Sequence, residues 1–434
     1  MLKVSVILIG FLGSALGQRS PSVTSPIRDV VQSSLIAAGS TPFHLKASIT
    51  SGRDASPYGE VEMYWLAPDR YQRTIVSKDF SQTLVVNGTK VFEKDSSDYF
   101  PLQLRTFVTA MVDPQPILDA VRPGDQVLTK ANGAVNESGV RCFGPNGTMC
   151  VSDTFGMREV VAASGHGVAF ADYQPFEGKR IARVLTNASR LGEEPMMLRV
   201  KQLERLDEAD SKWLEMPDVT SPQGQMRFLT RSESELRAAA LTSQEIIWPQ
   251  PLDGAVQGSA SFFVSIDRTG VVREVKPLYT ANERTNDSAV AQLMRWKYKP
   301  FTVDRAWKRR RRIWQFWLWG KNKPLPAQVE GVFTFTLNTR KYGPANPLTD
   351  AEARKLATNI VAPNITPGKY PAGTVYTLKA AVDADGNVIE VIAGDGPHEL
   401  FQPCFTALKQ WNFHPLMVNG EARPYRANIV FPIP

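Results

Sequence analysis

The sequence predicts an α+β protein, with a curved antiparallel sheet carrying helices on its concave side and then two small α+β modules. Three observations lead there. Between residues 44 and 206, apolar side chains recur mostly with a period of two, in short runs separated by turn signals, and helical spacing is confined to a few stretches. Beyond residue 240, a strand, turn, strand, helix and strand pattern occurs twice at a nearly constant offset. With 434 residues, 43% of them hydrophobic and 21% charged, the chain is long enough for two or three domains with separate cores.

The first residues stand outside that fold. Lys3 precedes an uncharged apolar run over residues 4–16, which ends at Ala15-Leu16-Gly17 and is followed by Arg19. A basic start, an apolar stretch and a small-x-small site make residues 1–17 a secretory signal peptide. The run is shorter than the roughly 20 residues a spanning helix needs. Export to the periplasm as a soluble chain is therefore expected. The alternative is an uncleaved run that anchors the protein in the inner membrane. No cysteine follows the run, so lipoprotein processing is not expected.

Helical spacing at Ile27, Val30, Val31, Leu35 and Ile36 predicts a helix over residues 27–38. Extended runs follow over 44–50, 60–65, 71–76 and 83–93, the last broken by Asn87-Gly88, a dipeptide suited to a two-residue hairpin turn. Helices are predicted over 102–112, closed by Asp113-Pro114, and over 116–121, closed by Pro123-Gly124. Further strands are expected at 126–130, 140–143, 148–151, 157–162, 167–173, 179–187 and 196–206. One helix, a meander, two helices and more strands is the order of a sheet covered on one side. Cys142 and Cys150 bracket a turn-rich segment, so a hairpin would bring them within bridging distance in an oxidising compartment. That bond would add about 2–3 kcal/mol; two reduced core thiols are the alternative. Cys404 is left over as a small core residue.

The segment running from Gly59-Glu60-Val61-Glu62-Met63-Tyr64-Trp65 to Tyr71, together with Phe176-Glu177-Gly178-Lys179-Arg180-Ile181-Ala182-Arg183, resembles the LolA and LolB lipoprotein-carrier family. The resemblance covers residues 28–208. It implies an incomplete antiparallel β-barrel whose inner face holds an acyl chain or a lipoprotein's lipid. Met63, Trp65 and Tyr71 are the candidate lining residues. The alternative is that they fill a closed core.

Residues 209–240 are polar and mixed and read as a linker, with a short helix near 234–241. The internal repeat begins after it. Asp267 and Gly270 in the first copy correspond to Asp383 and Gly386 in the second, each pair 116 positions apart, and Trp296 corresponds to Trp411 at 115. The glycine of each Asp-x-x-Gly turn supplies positive φ. This pattern resembles the TonB C-terminal domain, in two copies at 241–338 and 350–434. The family implies partner binding by strand addition at a sheet edge. The second copy ends in Pro432-Ile433-Pro434, and prolines blunt an edge, so the candidate edge is Val332, Phe333, Thr334, Phe335, Thr336 and Leu337 of the first copy. A TonB-type energy transducer acting on an outer-membrane receptor is the alternative function, although its retained anchor and long proline-rich spacer are not evident.

The first copy also carries an insertion that the second lacks. Pro300 to Phe333 is 33 positions, against 14 from Pro415 to Ile429. It contains Arg309, Arg310, Arg311 and Arg312, then Trp314, Trp317 and Trp319. Guanidinium groups bind phosphate bidentately, and tryptophan suits a membrane interface, so an anionic membrane or glycan surface is one expected partner. The other reading is an extended hairpin with a solvated basic edge. Eleven basic residues against one acid lie between Arg295 and Lys323, more than the whole chain's net charge of +7, so the remainder is net acidic. Nucleic acid is therefore not expected as a partner.

No catalytic constellation is apparent. Neither Ser164 nor Ser189 sits in a Gly-x-Ser-x-Gly elbow, and His398 has only the adjacent Glu399. Three cysteines and four scattered histidines make no metal-ligand spacing, and no cofactor motif occurs. The expected protein is a non-catalytic envelope binding protein that carries or senses a lipid and contacts an envelope protein through its first module. A hydrolase within the half-barrel is the remaining alternative class.

Overall fold

The computed structural model describes residues 33–34, 36, 41–112, 128–129, 140–143, 149–152, 156–161, 167–187, 195–207, 212–215, 226–242, 245–303 and 325–434. Strict alternation builds the first unit. In β1 (Phe43–Ser51), Phe43, Leu45, Ala47 and Ile49 are buried, and in β2 (Ser56–Ala67) Val61, Met63 and Trp65 are. Successive side chains point to opposite faces of a strand. The register pairs Phe43 with Trp65, Leu45 with Met63 and Ala47 with Val61, so the apolar positions fall on one face. On one side β3 (Arg70–Ser77), β4 (Ser81–Asn87) and β5 (Lys90–Asp95) extend the sheet. On the other come β12 (Met196–Arg205), β11 (Lys179–Asn187) and β10 (Gly167–Phe176). Beyond them lie the short β9 (Gly156–Val161), β8 (Met149–Ser152), β7 (Val140–Phe143) and β6 (Leu128–Thr129). The antiparallel sheet has twelve strands, and its ends, β5 and β6, do not pair, so it is not closed into a barrel.

Helix α1 (Leu102–Val112) matches the sequence expectation and buries Leu102, Leu104, Phe107, Val108, Ala110, Met111 and Val112. All of these but Leu102 share one core with the apolar faces of β1, β2, β10 and β11. Of the helix expected at 27–38, the buried Ile36 belongs to the same core, and most of the rest lies outside the described residues, as does the helix at 116–121. Cys142 and Cys150 are direct partners across β7 and β8. Cys150 is disulfide-bonded, and Cys404 is a buried free thiol that burial pushes up to about 11.

The segment expected to be a linker carries structure instead. A single turn at Lys212–Leu214 sets Trp213 over Tyr64, ring centroids 5.3 Å apart, on the face of β2 opposite Trp65. Next, β13 (Arg227–Thr230) pairs in parallel with β17 (Leu325–Asn338), and α2 (Glu233–Ala239) packs Leu236 into the core of the first module. The segment looked like a loop because only Met226 and Leu236 of residues 226–239 are buried. Its polar residues serve as caps: Ser232 and Glu235 form a reciprocal capping box at the start of α2.

The first module's sheet has the order β13-β17-β14-β15, with β14 (Gln257–Ile266) and β15 (Val272–Thr280). Helix α3 (Asn286–Met294) packs on β15, and β16 (Thr302–Val303) pairs with β17. In the second module α4 (Asp350–Leu356) precedes a three-stranded sheet of β20 (Val388–Ala393), β19 (Val375–Val382) and β24 (Tyr425–Pro432), while β18 (Ala357–Asn359) pairs with β21 (Asn412–Phe413) and β22 (Leu416–Val418) with β23 (Glu421–Arg423). Helix α5 (Phe401–Leu408) packs against β19 and β20. The repeat is geometric as well as sequential. Asp267 Oδ1 accepts from the N–H groups of Thr269 and Val271 at 2.8 and 3.0 Å, and Asp383 Oδ1 accepts from those of Asp385 and Asn387 at 2.9 and 2.8 Å. Gly270 and Gly386 have φ of 90° and 91°, and their carbonyls accept from Tyr298 and Phe413 respectively. Among the described residues, no helix is long and apolar enough to cross a membrane.

Candidate functional site

Three sequence-derived candidates come together on the helix-covered face of the large sheet. Met63 and Trp65 are each 4% exposed; Trp65 stacks on Phe43 at 5.2 Å, and Tyr71 lies opposite Trp65 in register. Tyr71 is half-buried against the cluster that contains Phe107 and Met111 of α1.

Toward β5 the same face turns polar. Met63, Arg73, Leu84 and Glu93 are successive register partners across β2 to β5, and so are Val61, Ile75, Gln82 and Asp95. Arg73 Nη2 donates to Gln82 Oε1 at 2.6 Å. The Gln82 amide donates in turn to Glu93 at 3.0 Å and Asp95 at 2.9 Å. Burial, and then the charge of Asp95, pushes the Glu93 carboxyl up to about 7, and burial raises Asp95. Glu93 also accepts from the Met226 N–H. Sequence reading missed this row, although Gln82 and Glu93 do occupy the inward parity of their strands.

The row continues into the first module. Arg268, in the Asp267–Gly270 turn, lies 3.5 Å from Asp95 and 3.1 Å from Asp98. Tyr99 Oη donates to Glu274 at 2.6 Å. Gln328, fully buried on β17, accepts from the Phe100 N–H at 2.9 Å and donates to the Phe100 carbonyl at 3.1 Å. Arg105 of α1 pairs with Glu330, and its guanidinium lies 4.2 Å above the ring of Phe228. The start of α1 is thus held by strands of the first module, not only by its own sheet.

The expected strand-addition edge is occupied by the chain itself. One side of residues 332–337 pairs with β14. On the other, the Thr334 N–H donates to Glu233 at 3.1 Å, and the Thr336 carbonyl accepts from Trp248 Nε1 at 3.0 Å. The neighbouring Glu330 carbonyl accepts from the Arg231 N–H at 2.8 Å. Val332, Phe333, Thr334, Phe335, Thr336 and Leu337 therefore do not form an open edge, because α2 and Trp248 close it. The second module repeats the device: the Val430 N–H donates to Asp350 at 2.9 Å, and the Val430 carbonyl accepts from Arg354 at 2.7 Å. Ser232, Glu233, Glu235 and Arg237 correspond to Thr349, Asp350, Glu352 and Arg354, all 117 positions apart. The first repeat thus begins before residue 241.

Arg309, Arg310, Arg311, Arg312, Trp314, Trp317 and Trp319 lie outside the described residues. Their segment departs after Val303 and returns at Leu325, which are paired across β16 and β17.

No protein-family model matches the chain, and no curated protein does. Solved structures do. A LolA superfamily protein from Nitrosomonas europaea is 10% identical, covering 43% of this chain and 95% of its own, with a TM-score of 0.27. A DUF1329 family protein from Desulfovibrio piger is 8% identical over 44% of this chain and 94% of its own, with a TM-score of 0.28. A putative outer membrane lipoprotein-sorting protein domain from Vibrio parahaemolyticus is 11% identical over 40% and 89%, with a TM-score of 0.22.

Proposed function

We propose that the protein is a non-catalytic, periplasmic cell-envelope binding protein that takes up an acyl chain or a lipoprotein's lipid on the helix-covered face of its half-barrel. One observation carries the reading: an unclosed twelve-stranded sheet packs a broad apolar face, including Met63 and Trp65, against a helix whose start is fixed by another module. A closed barrel would have no such wall to open. Displacing α1 exposes the face without breaking any strand pairing. The first module, through Gln328 and Glu330, then senses whether α1 is seated. The edge that a transducer would offer a partner strand is covered by α2 and Trp248, which favours the carrier reading.

Displacement of a fluorescent fatty acid by lipoprotein-derived acyl chains tests the reading. Saturable binding that falls when Tyr71 is changed to Asp is expected. Absence of binding at micromolar probe, with the protein folded, would overturn it.

A further inference from the structure

A cavity lies where the two modules meet, far along the chain from the half-barrel. Its volume is about 420 Å³, and its nine lining residues include Arg340 and Arg426 but no acid. That volume is within the range of small-molecule sites, roughly 300–1,000 Å³. Pro251, Val256 and Pro344 supply apolar wall.

Its polar groups are incompletely used. Arg426 donates through Nη2 to the Ala345 carbonyl at 2.9 Å, which fixes the side chain, while its Nε is buried without a hydrogen-bond partner. Gln250 is only 6% exposed, and its buried Oε1 also has no partner. Neither arginine has a carboxylate within ion-pair distance among the described residues. Buried polar atoms in native structures are normally satisfied, and a guanidinium left without a counter-charge favours an incoming oxyanion. The unpaired amide oxygen adds a place for a donor hydroxyl or N–H of the same molecule.

We propose that this cavity binds a small organic carboxylate, its anionic end on Arg340 and Arg426 and its apolar body against the proline-rich wall. Arg426 comes from the second module, Gln250, Pro251 and Val256 from the first, and the other five lining residues from the segment that joins them, so occupancy ties the two repeats together.

Benzoate, its neutral isostere benzamide and inorganic phosphate, titrated separately into the full-length chain, test the proposal. Benzoate is expected to bind saturably and to protect Arg340 and Arg426 from phenylglyoxal labelling, while benzamide does neither. Arg340→Gln should weaken benzoate binding about tenfold or more, the effect of losing one charge-assisted pair. Arg426→Gln should weaken it further. If that variant does not fold, the exposed Arg340 position still decides the matter. No saturable benzoate binding, equal binding of benzamide, affinity unchanged in Arg340→Gln, or phosphate binding in place of benzoate would each overturn it.

Discussion

Glu93 is the residue with the most to say about conditions. Its folded-state value is about 7, against an ordinary 4.5, because burial and Asp95 disfavour its charge. The folded protein therefore holds a proton that the unfolded chain releases between those values. Stability from this group is full below about pH 4.5 and is lost as pH rises through about 7. Glu93→Gln should flatten that part of the stability–pH curve, as measured by urea unfolding at pH 5 and pH 8. An unchanged slope would show that Glu93 is not buried as described. The turn glycines are the other decisive residues. A Cβ at Gly270 would lie 2.0 Å from the Tyr298 carbonyl oxygen, and one at Gly386 would lie 1.9 Å from that of Phe413. Gly270→Ala and Gly386→Ala should each cost at least about 1–3 kcal/mol, the range for a side chain forced into positive φ. A thermal scan in which either variant matches the parent would contradict the turn geometry.

At the scale of elements, α1 was legible to the residue because its apolar spacing is bounded by Pro101 and Asp113-Pro114. The strands from 43 to 95 were legible in place but not in extent, since β1 and β2 bury alternate apolar residues while β2 begins at Ser56, before the expected 60–65. The short helix near 234–241 is found as α2, but β13 and the docking of both elements on the first module were not legible, because they bury few side chains and owe their place to β17. The closed edge of β17 was hidden for a related reason. An alternating, proline-free strand reads as open, but Glu233 and Trp248, some ninety to a hundred residues away, take its outward groups. What holds α1 is likewise non-local. Gln328→Ala removes both bonds to Phe100 and should speed amide exchange in residues 102–108 while leaving β1 and β2 unchanged. Equal exchange in α1 would mean that the first module does not fix it. The basic segment supports a separate expectation: changing Arg309 to Arg312 to glutamine should weaken salt-sensitive binding to anionic liposomes. Equal binding to neutral vesicles would assign those arginines to a solvated edge.

Among the described residues, polar contacts run between the three larger cores. The half-barrel meets the first module through Arg268, Gln328 and the Arg105–Glu330 pair. The first module meets the second through Arg284 on Glu390 and Arg295 on Asp385 at 2.9 Å. Contacts of this kind suit units that shift relative to one another, as a helix-displacing ligand would require. The most direct measurement of that central claim is native mass spectrometry of the protein purified from its own envelope under non-denaturing conditions, followed by lipid extraction. A stoichiometric adduct that extracts as an acyl lipid, and is lost from a Tyr71→Asp variant that still folds, is the expected result. A bare polypeptide mass in both proteins would contradict lipid uptake by the half-barrel.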